Sequence, residues 1–119
     1  PDFGIVTRVA DFTEPCELVA HLNARTKLVL FETPASPHMR VVDIAAVSEM
    51  VHAHSTALVA VDSTYCTPYL QQPLKLGADV VVHSLTKYIN GHGDVIAGAL
   101  VGRRMVEDGS QPVSACRPK

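Results

Sequence analysis

Segment 42–54, VDIAAVSEMVHAH, restricts the fold more than any other part of the chain. Ile44, Val47, Met50 and Val51 recur at helical spacing, which predicts an amphipathic helix with Met50 as core filler. It sits between two short apolar runs, KLVLF at 27–31 and ALVAV at 57–61, both with the look of buried strands. Two strands joined through a helix run parallel, and the connection is right-handed. Their carboxyl ends therefore reach the same edge of one sheet.

The remaining elements follow in order. FGIVTRV at 3–9 reads as a short strand. Residues 11–23 read as a helix with Thr13 as N-cap, Pro15 in the first turn and a stripe of Leu18, Val19 and Leu22. Past the first buried strand, Glu32 is followed by Thr33-Pro34-Ala35-Ser36-Pro37, where two close prolines forbid regular structure; such a loop at a strand's carboxyl end is a candidate binding wall. Asp62 emerges at the end of the next strand. Thr67 and Pro68 open a short helical piece to Gln72, which Pro73 bends or ends. Val80, Val81 and Val82 form a third strand. The interval 84–94 is too short for a crossover helix, so 95–101 should be an antiparallel neighbour, with Gly98 marking a bulge or a close backbone approach. The expected class is α/β: a mostly parallel sheet with one antiparallel strand and helices on both faces. Residues 103–119, RRMVEDGSQPVSACRPK, hold few large apolar side chains and read as an irregular or disordered tail.

Composition narrows the function classes. A chain of 119 residues with 47% hydrophobic content can build one core, and a net charge of -2 without basic runs argues against nucleic acid as a partner. No apolar stretch is long enough to cross a bilayer, and no targeting segment opens the chain, so no membrane is expected. Cys16, Cys66 and Cys116 are widely spaced and odd in number, which suits a reducing, cytoplasmic setting better than disulfides or zinc. His52 and His54 would project to different sides of a helix, and no metal is expected. The start, PDFGIV, has no initiator methionine, so the chain reads as an excised middle of something longer.

Chemistry concentrates in DVVVHSLTKYINGHGD at 79–94. A β-branched run delivers Ser84, Thr86 and Lys87 to its carboxyl end, where ligand sites of open α/β sheets lie. A partly desolvated lysine there has a nucleophilic amine, and the two hydroxyls can donate to a phosphate. Glu32 and Asp62 share that rim, so a structural ion pair with the lysine is an equally open reading of these residues alone.

The run from Ser84 through Thr86, Lys87 and Tyr88 to Gly91 and His92 resembles the cofactor-lysine signature of the Cys/Met-metabolism family of pyridoxal phosphate (PLP) enzymes, the trans-sulfuration group. The likeness continues through VDSTYCTPYLQQPLKLGAD (61–79), KLVLFETPASP (27–37) and VVDIAAV (41–47). Leu85 departs from the smaller residue usual there. The resemblance implies part of the large, cofactor-binding domain of a fold-type-I PLP enzyme, spanning residues 1–102.

The family's residue roles follow by the same resemblance. Lys87 would join the cofactor aldehyde and afterwards shuttle protons; Asp62 would keep the pyridine nitrogen protonated; Thr64 would pack on the ring face; Ser84 and Thr86 would hold the phosphate. Ser36 stands where an asparagine often meets the phenolic oxygen, Ser63 where another asparagine is common, and Glu32 would belong to the polar network around the ring. Tyr65, Tyr69 and Tyr88 read as packing or interface residues. The implied substrate is a sulfur-containing amino acid, and TYCTPYLQQP looks most like the methionine gamma-lyase branch, with cystathionine gamma-lyase or gamma-synthase chemistry as the alternative. A homotetramer is implied as well. Family parts needed for the substrate pocket fall outside these residues, so the isolated chain is expected to be inactive, and a truncated non-catalytic remnant is the contrasting expectation.

Overall fold

The computed structural model describes residues 3–103. Four strands, β1 (Leu28–Glu32), β2 (Leu58–Asp62), β3 (Val80–Ser84) and β4 (Gly98–Gly102), form one sheet in the order β1-β2-β3-β4. The first three are parallel, and β4 pairs antiparallel with β3, as the short interval before it requires. Register is continuous from Val80↔Gly102 to Ser84↔Gly98, so Gly98 sits in no bulge; a β-carbon there would meet His83 O at an ordinary 3.7 Å.

The crossover helix α2 (Ile44–His54) begins at Asp43, whose side chain accepts the Ala46 N–H at 3.0 Å and satisfies one free amide of the first turn. It buries Ile44, Val47 and Val51 against Val29, Phe31, Val59 and Val61, the inward set of alternating strand residues. Met50 is only half-buried. The carboxyl end of α2 is tied to the sheet by Asp79: its Oδ2 lies 2.9 Å from His52 Nε2 and accepts the Val59 N–H at 2.8 Å. His52 thus anchors an element, while His54 Nδ1 lies against Met50 O in its own helix.

The amino-terminal region differs from expectation. Residues 3–9 pair with no strand among the described residues, and Phe3, Ile5, Val6 and Val9 are exposed; an apolar run becomes a strand only beside another strand's free edge. The predicted long helix at 11–23 is reduced to α1 (Pro15–Leu18) and a tighter turn, Val19–His21, with no side-chain cap at either start. Thr13 is not the cap because Asp11 takes both its N–H (2.9 Å) and its hydroxyl (2.7 Å) in a local turn. Leu18 still reaches the core, and Phe12 stacks on Phe31 with centroids 5.1 Å apart.

The described helices that build the core cover the sheet face carrying Val29, Phe31, Val59 and Val61. The opposite face presents Leu28, Leu30, Leu58 and Leu100, all exposed. Pro68 lies in α3 (Thr67–Leu70), and Pro73 opens a second short turn, Pro73–Leu76, instead of only ending the first. Arg103, expected to start the tail, donates to Ala78 O (3.2 Å) and Leu74 O (3.1 Å); the rest of that expected tail, 104–119, lies outside the described residues.

Candidate active site

Parallel pairing sets Glu32 of β1 directly beside Asp62 of β2 at the carboxyl edge, with Asp62 in turn beside Val82 of β3. Side chains on one strand alternate, so Glu32, Asp62 and Ser84 emerge on one face, the face α2 leaves free. Past Ser84 the chain makes one wide turn, Leu85–Ile89, in which Lys87 adopts φ -91° and ψ -118°, outside the helical region. The turn closes through Asn90 N–H to Leu85 O (3.0 Å) and Gly91 N–H to Lys87 O (2.9 Å). Gly91 has φ 71°, a conformation that glycine adopts without cost.

These elements enclose an open cavity of about 730 Å³ lined by Glu32, Ser36, Asp62, Thr64, Tyr65, Ser84, Lys87, Tyr88 and the 91–93 turn. Its size is within the range of small-molecule and cofactor sites. The ion pairs among the described residues are Arg40–Asp11 and His52–Asp79; Asp62 and Lys87 are in neither. The alternative of a structural pair between that carboxylate and that amine is therefore not realised.

The two rim carboxylates are held by local hydrogen bonds. Asp62 Oδ1 accepts the Thr64 N–H at 2.9 Å. Glu32 Oε2 accepts the Ser36 N–H at 3.2 Å, so it fixes the proline loop as well as facing the cavity. Gln71 Nε2 donates to Thr33 O (3.0 Å) and to the buried Ser63 Oγ (2.9 Å), joining the loops that follow β1 and β2. Ser63 in this role supports a wall and does not line the cavity.

Six of the seven residues expected at the site, Glu32, Ser36, Asp62, Thr64, Ser84 and Lys87, come together here. Thr86 does not line the cavity: its hydroxyl donates to Ala97 O (3.1 Å) and accepts the Ala97 N–H (2.9 Å), which ties the lysine turn to the approach of β4. Sequence reasoning treated Tyr65 and Tyr88 as packing, but both face the cavity, with ring centroids 6.3 Å apart. His92 was also not singled out for the site. Its Nδ1 lies 3.1 Å from Asn90 O, and Asn90 Nδ2 donates to His92 O and to Asp94 Oδ1, both at 2.8 Å, so the turn is clipped by its own side chains. The Asn-Gly-His-Gly-Asp string was the available signal.

A phosphorylated pyridine aldehyde is one class of ligand suited to this donor set: an amine for the aldehyde, a carboxylate for the ring nitrogen and hydroxyls for the phosphate. Comparison with known proteins gives the class and then the family. The model of the Cys/Met metabolism PLP-dependent enzymes matches residues 1–114. The L-methionine gamma-lyase of Pseudomonas deceptionensis is 52% identical over 107 residues, covering 90% of this chain and 27% of that protein. A cystathionine beta-lyase of Lactococcus lactis subsp. cremoris is 50% identical over 80% of this chain and 25% of its own length. The crystal structure of cystathionine gamma-lyase from Lactobacillus plantarum complexed with L-serine superposes with a TM-score of 0.81 at 38% identity, over 85% of this chain and 26% of that one. The chain belongs to the Cys/Met metabolism family of PLP-dependent enzymes. It spans about a quarter of the length of these relatives.

Proposed function

We propose that this chain supplies the strand-end wall of the PLP site in a PLP-dependent lyase of sulfur amino acids, of the methionine gamma-lyase type. The reaction removes the substrate α-proton and eliminates a sulfur-bearing group from the γ-carbon. The observation that carries the reading is a lysine and an aspartate on one cavity at adjoining strand ends, neither in an ion pair among the described residues. The 52% identity to the L-methionine gamma-lyase of Pseudomonas deceptionensis supports the methionine gamma-lyase reading, and cystathionine lyase chemistry is the alternative.

Residues 1–102 are read as part of the large PLP-binding domain, and the whole protein as a homotetramer of the cytoplasm. Among the described residues Cys16 and Cys66 form no disulfide, which suits a reducing compartment.

When bound, PLP supplies an electron-withdrawing ring that stabilises negative charge at the substrate α-carbon. Lys87 would anchor the group through Nζ, and its amine, once released, can accept a proton and return it. The Asp62 carboxylate, oriented by the Thr64 amide, would hold a proton on the ring nitrogen through its opposite charge. Ser84 would donate to the phosphate. Thr86 would join it only by turning its hydroxyl proton away from Ala97 O, while still accepting from the Ala97 amide. Tyr65 and Tyr88 would form an aromatic side of the site.

The test is a PLP titration of the 119-residue chain, followed by borohydride reduction and peptide mass mapping. A visible absorption band with label on Lys87, lost in Lys87→Ala, is expected. Label scattered over Lys27, Lys75 and Lys119 would overturn the reading and leave a non-catalytic remnant.

A further inference from the structure

β3 outruns β2 by two residues. The last parallel pair is Asp62↔Val82, and the ladder continues one step further, with the Ser63 N–H donating to Val82 O at 3.1 Å. In a parallel ladder the next bond would run from the Ser84 N–H to Ser63 O. That carbonyl is already taken by the Thr67 N–H at 3.0 Å, where the chain after β2 folds back on itself. The Ser84 amide would be left without a backbone acceptor at a half-buried site, a costly arrangement. Thr64 Oγ1 takes that bond at 2.8 Å.

The same residue is bound on its other side. Its own N–H donates to Asp62 Oδ1 at 2.9 Å. Thr64 therefore connects the carboxylate of β2 to the last residue of β3, which leads into the lysine turn, through two short hydrogen bonds. Its hydroxyl accepts from Ser84, which leaves the single hydroxyl proton for an acceptor in the cavity that Thr64 also lines.

We propose that Thr64 is a positioning residue: it replaces a missing ladder carbonyl and thereby fixes Ser84 and the Lys87 turn at a set distance from Asp62. The inference rests on the PLP reading for what the spacing serves, but the strut itself exists without ligand. A phosphorylated heteroaromatic ring held at its nitrogen by Asp62 and at its phosphate by Ser84 needs those two groups at fixed separation, and Thr64 sets it.

Thr64→Val keeps the shape and removes the acceptor; Thr64→Ser keeps the acceptor. Amide hydrogen exchange of the unliganded chain is the first readout. The Ser84 amide should exchange about tenfold faster in Thr64→Val and stay near wild type in Thr64→Ser. Protection across α2 and β1 serves as the folding control, and Thr64→Ala replaces Thr64→Val if the latter does not fold. Equal Ser84 exchange in the folded variants would overturn the proposal. The second readout is PLP affinity, expected to weaken about tenfold in Thr64→Val and to remain within about twofold in Thr64→Ser. Loss of the Ser84 protection with unchanged PLP affinity would overturn the link to the cofactor. If the wild-type chain takes no PLP at Lys87, the functional reading fails, and the exchange result still decides the strut.

Discussion

Single side chains in this molecule act mostly through backbone groups. Asp62, Glu32, Asp43 and Asp79 each accept a backbone N–H, at 2.9, 3.2, 3.0 and 2.8 Å respectively, so carboxylates that read as chemical groups in a sequence are also local struts. Asp11 gives a titratable case. The Thr13 hydroxyl, then the Thr13 amide, holds its carboxyl below the ordinary aspartate range, with a smaller contribution from Arg40. The folded value is depressed, so the stabilisation is present above pH about 4 and is lost as pH falls through the folded value. Carboxyl NMR titration should show an Asp11 midpoint below that of a free aspartate, moving upward in Thr13→Val; an unchanged midpoint would show that the threonine bonds do not set it. The sequence made Lys87 and Asp62 legible because a family signature surrounds them. It concealed the state of Thr86, since whether a hydroxyl is free depends on Ala97, eleven residues on, and on the pairing of β4.

At the level of elements, the β1-α2-β2 unit emerged almost as read, because helical periodicity and two apolar runs specify it locally. The amino-terminal helix and strand did not, because short elements depend on tertiary partners more than on propensity. One loop joins the two levels. Gly77, which ends the Pro73–Leu76 turn, has φ 104°, and a β-carbon there would lie 2.9 Å from Ser48 Cβ, a buried residue of α2. Gly77→Ala therefore combines backbone strain with a clash that only movement of the helix relieves. It should lower unfolding free energy by about 2 kcal/mol in chemical denaturation. A variant as stable as wild type would mean that α2 shifts freely, contrary to its tie to Asp79.

For the whole molecule, the contrast between the two sheet faces dominates. One is packed, while Leu28, Leu30 and Leu58 of the other are each more than half exposed, at 53%, 55% and 52%. An apolar patch of that kind binds hydrophobic dyes and promotes association. The double variant Leu30→Lys, Leu58→Lys should bind less of a hydrophobic fluorophore than wild type and sediment with less self-association, while α2 keeps its amide protection. Dye binding unaffected by the change would place the exposed surface elsewhere. The sequence by itself determined the order of elements from β1 onward, the parallel pairing of β1 and β2 and the antiparallel β4, and it pointed to the lysine and aspartate that meet at the cavity, because each follows from periodicity, connection length or a short motif. The tertiary structure alone decided which face α2 covers, that Tyr65, Tyr88 and His92 reach the cavity, that Thr86 is engaged by Ala97, and that Thr64 completes the ladder at Ser84. These depend on strand register and on where one strand outruns its neighbour, quantities set by packing between segments far apart in the chain.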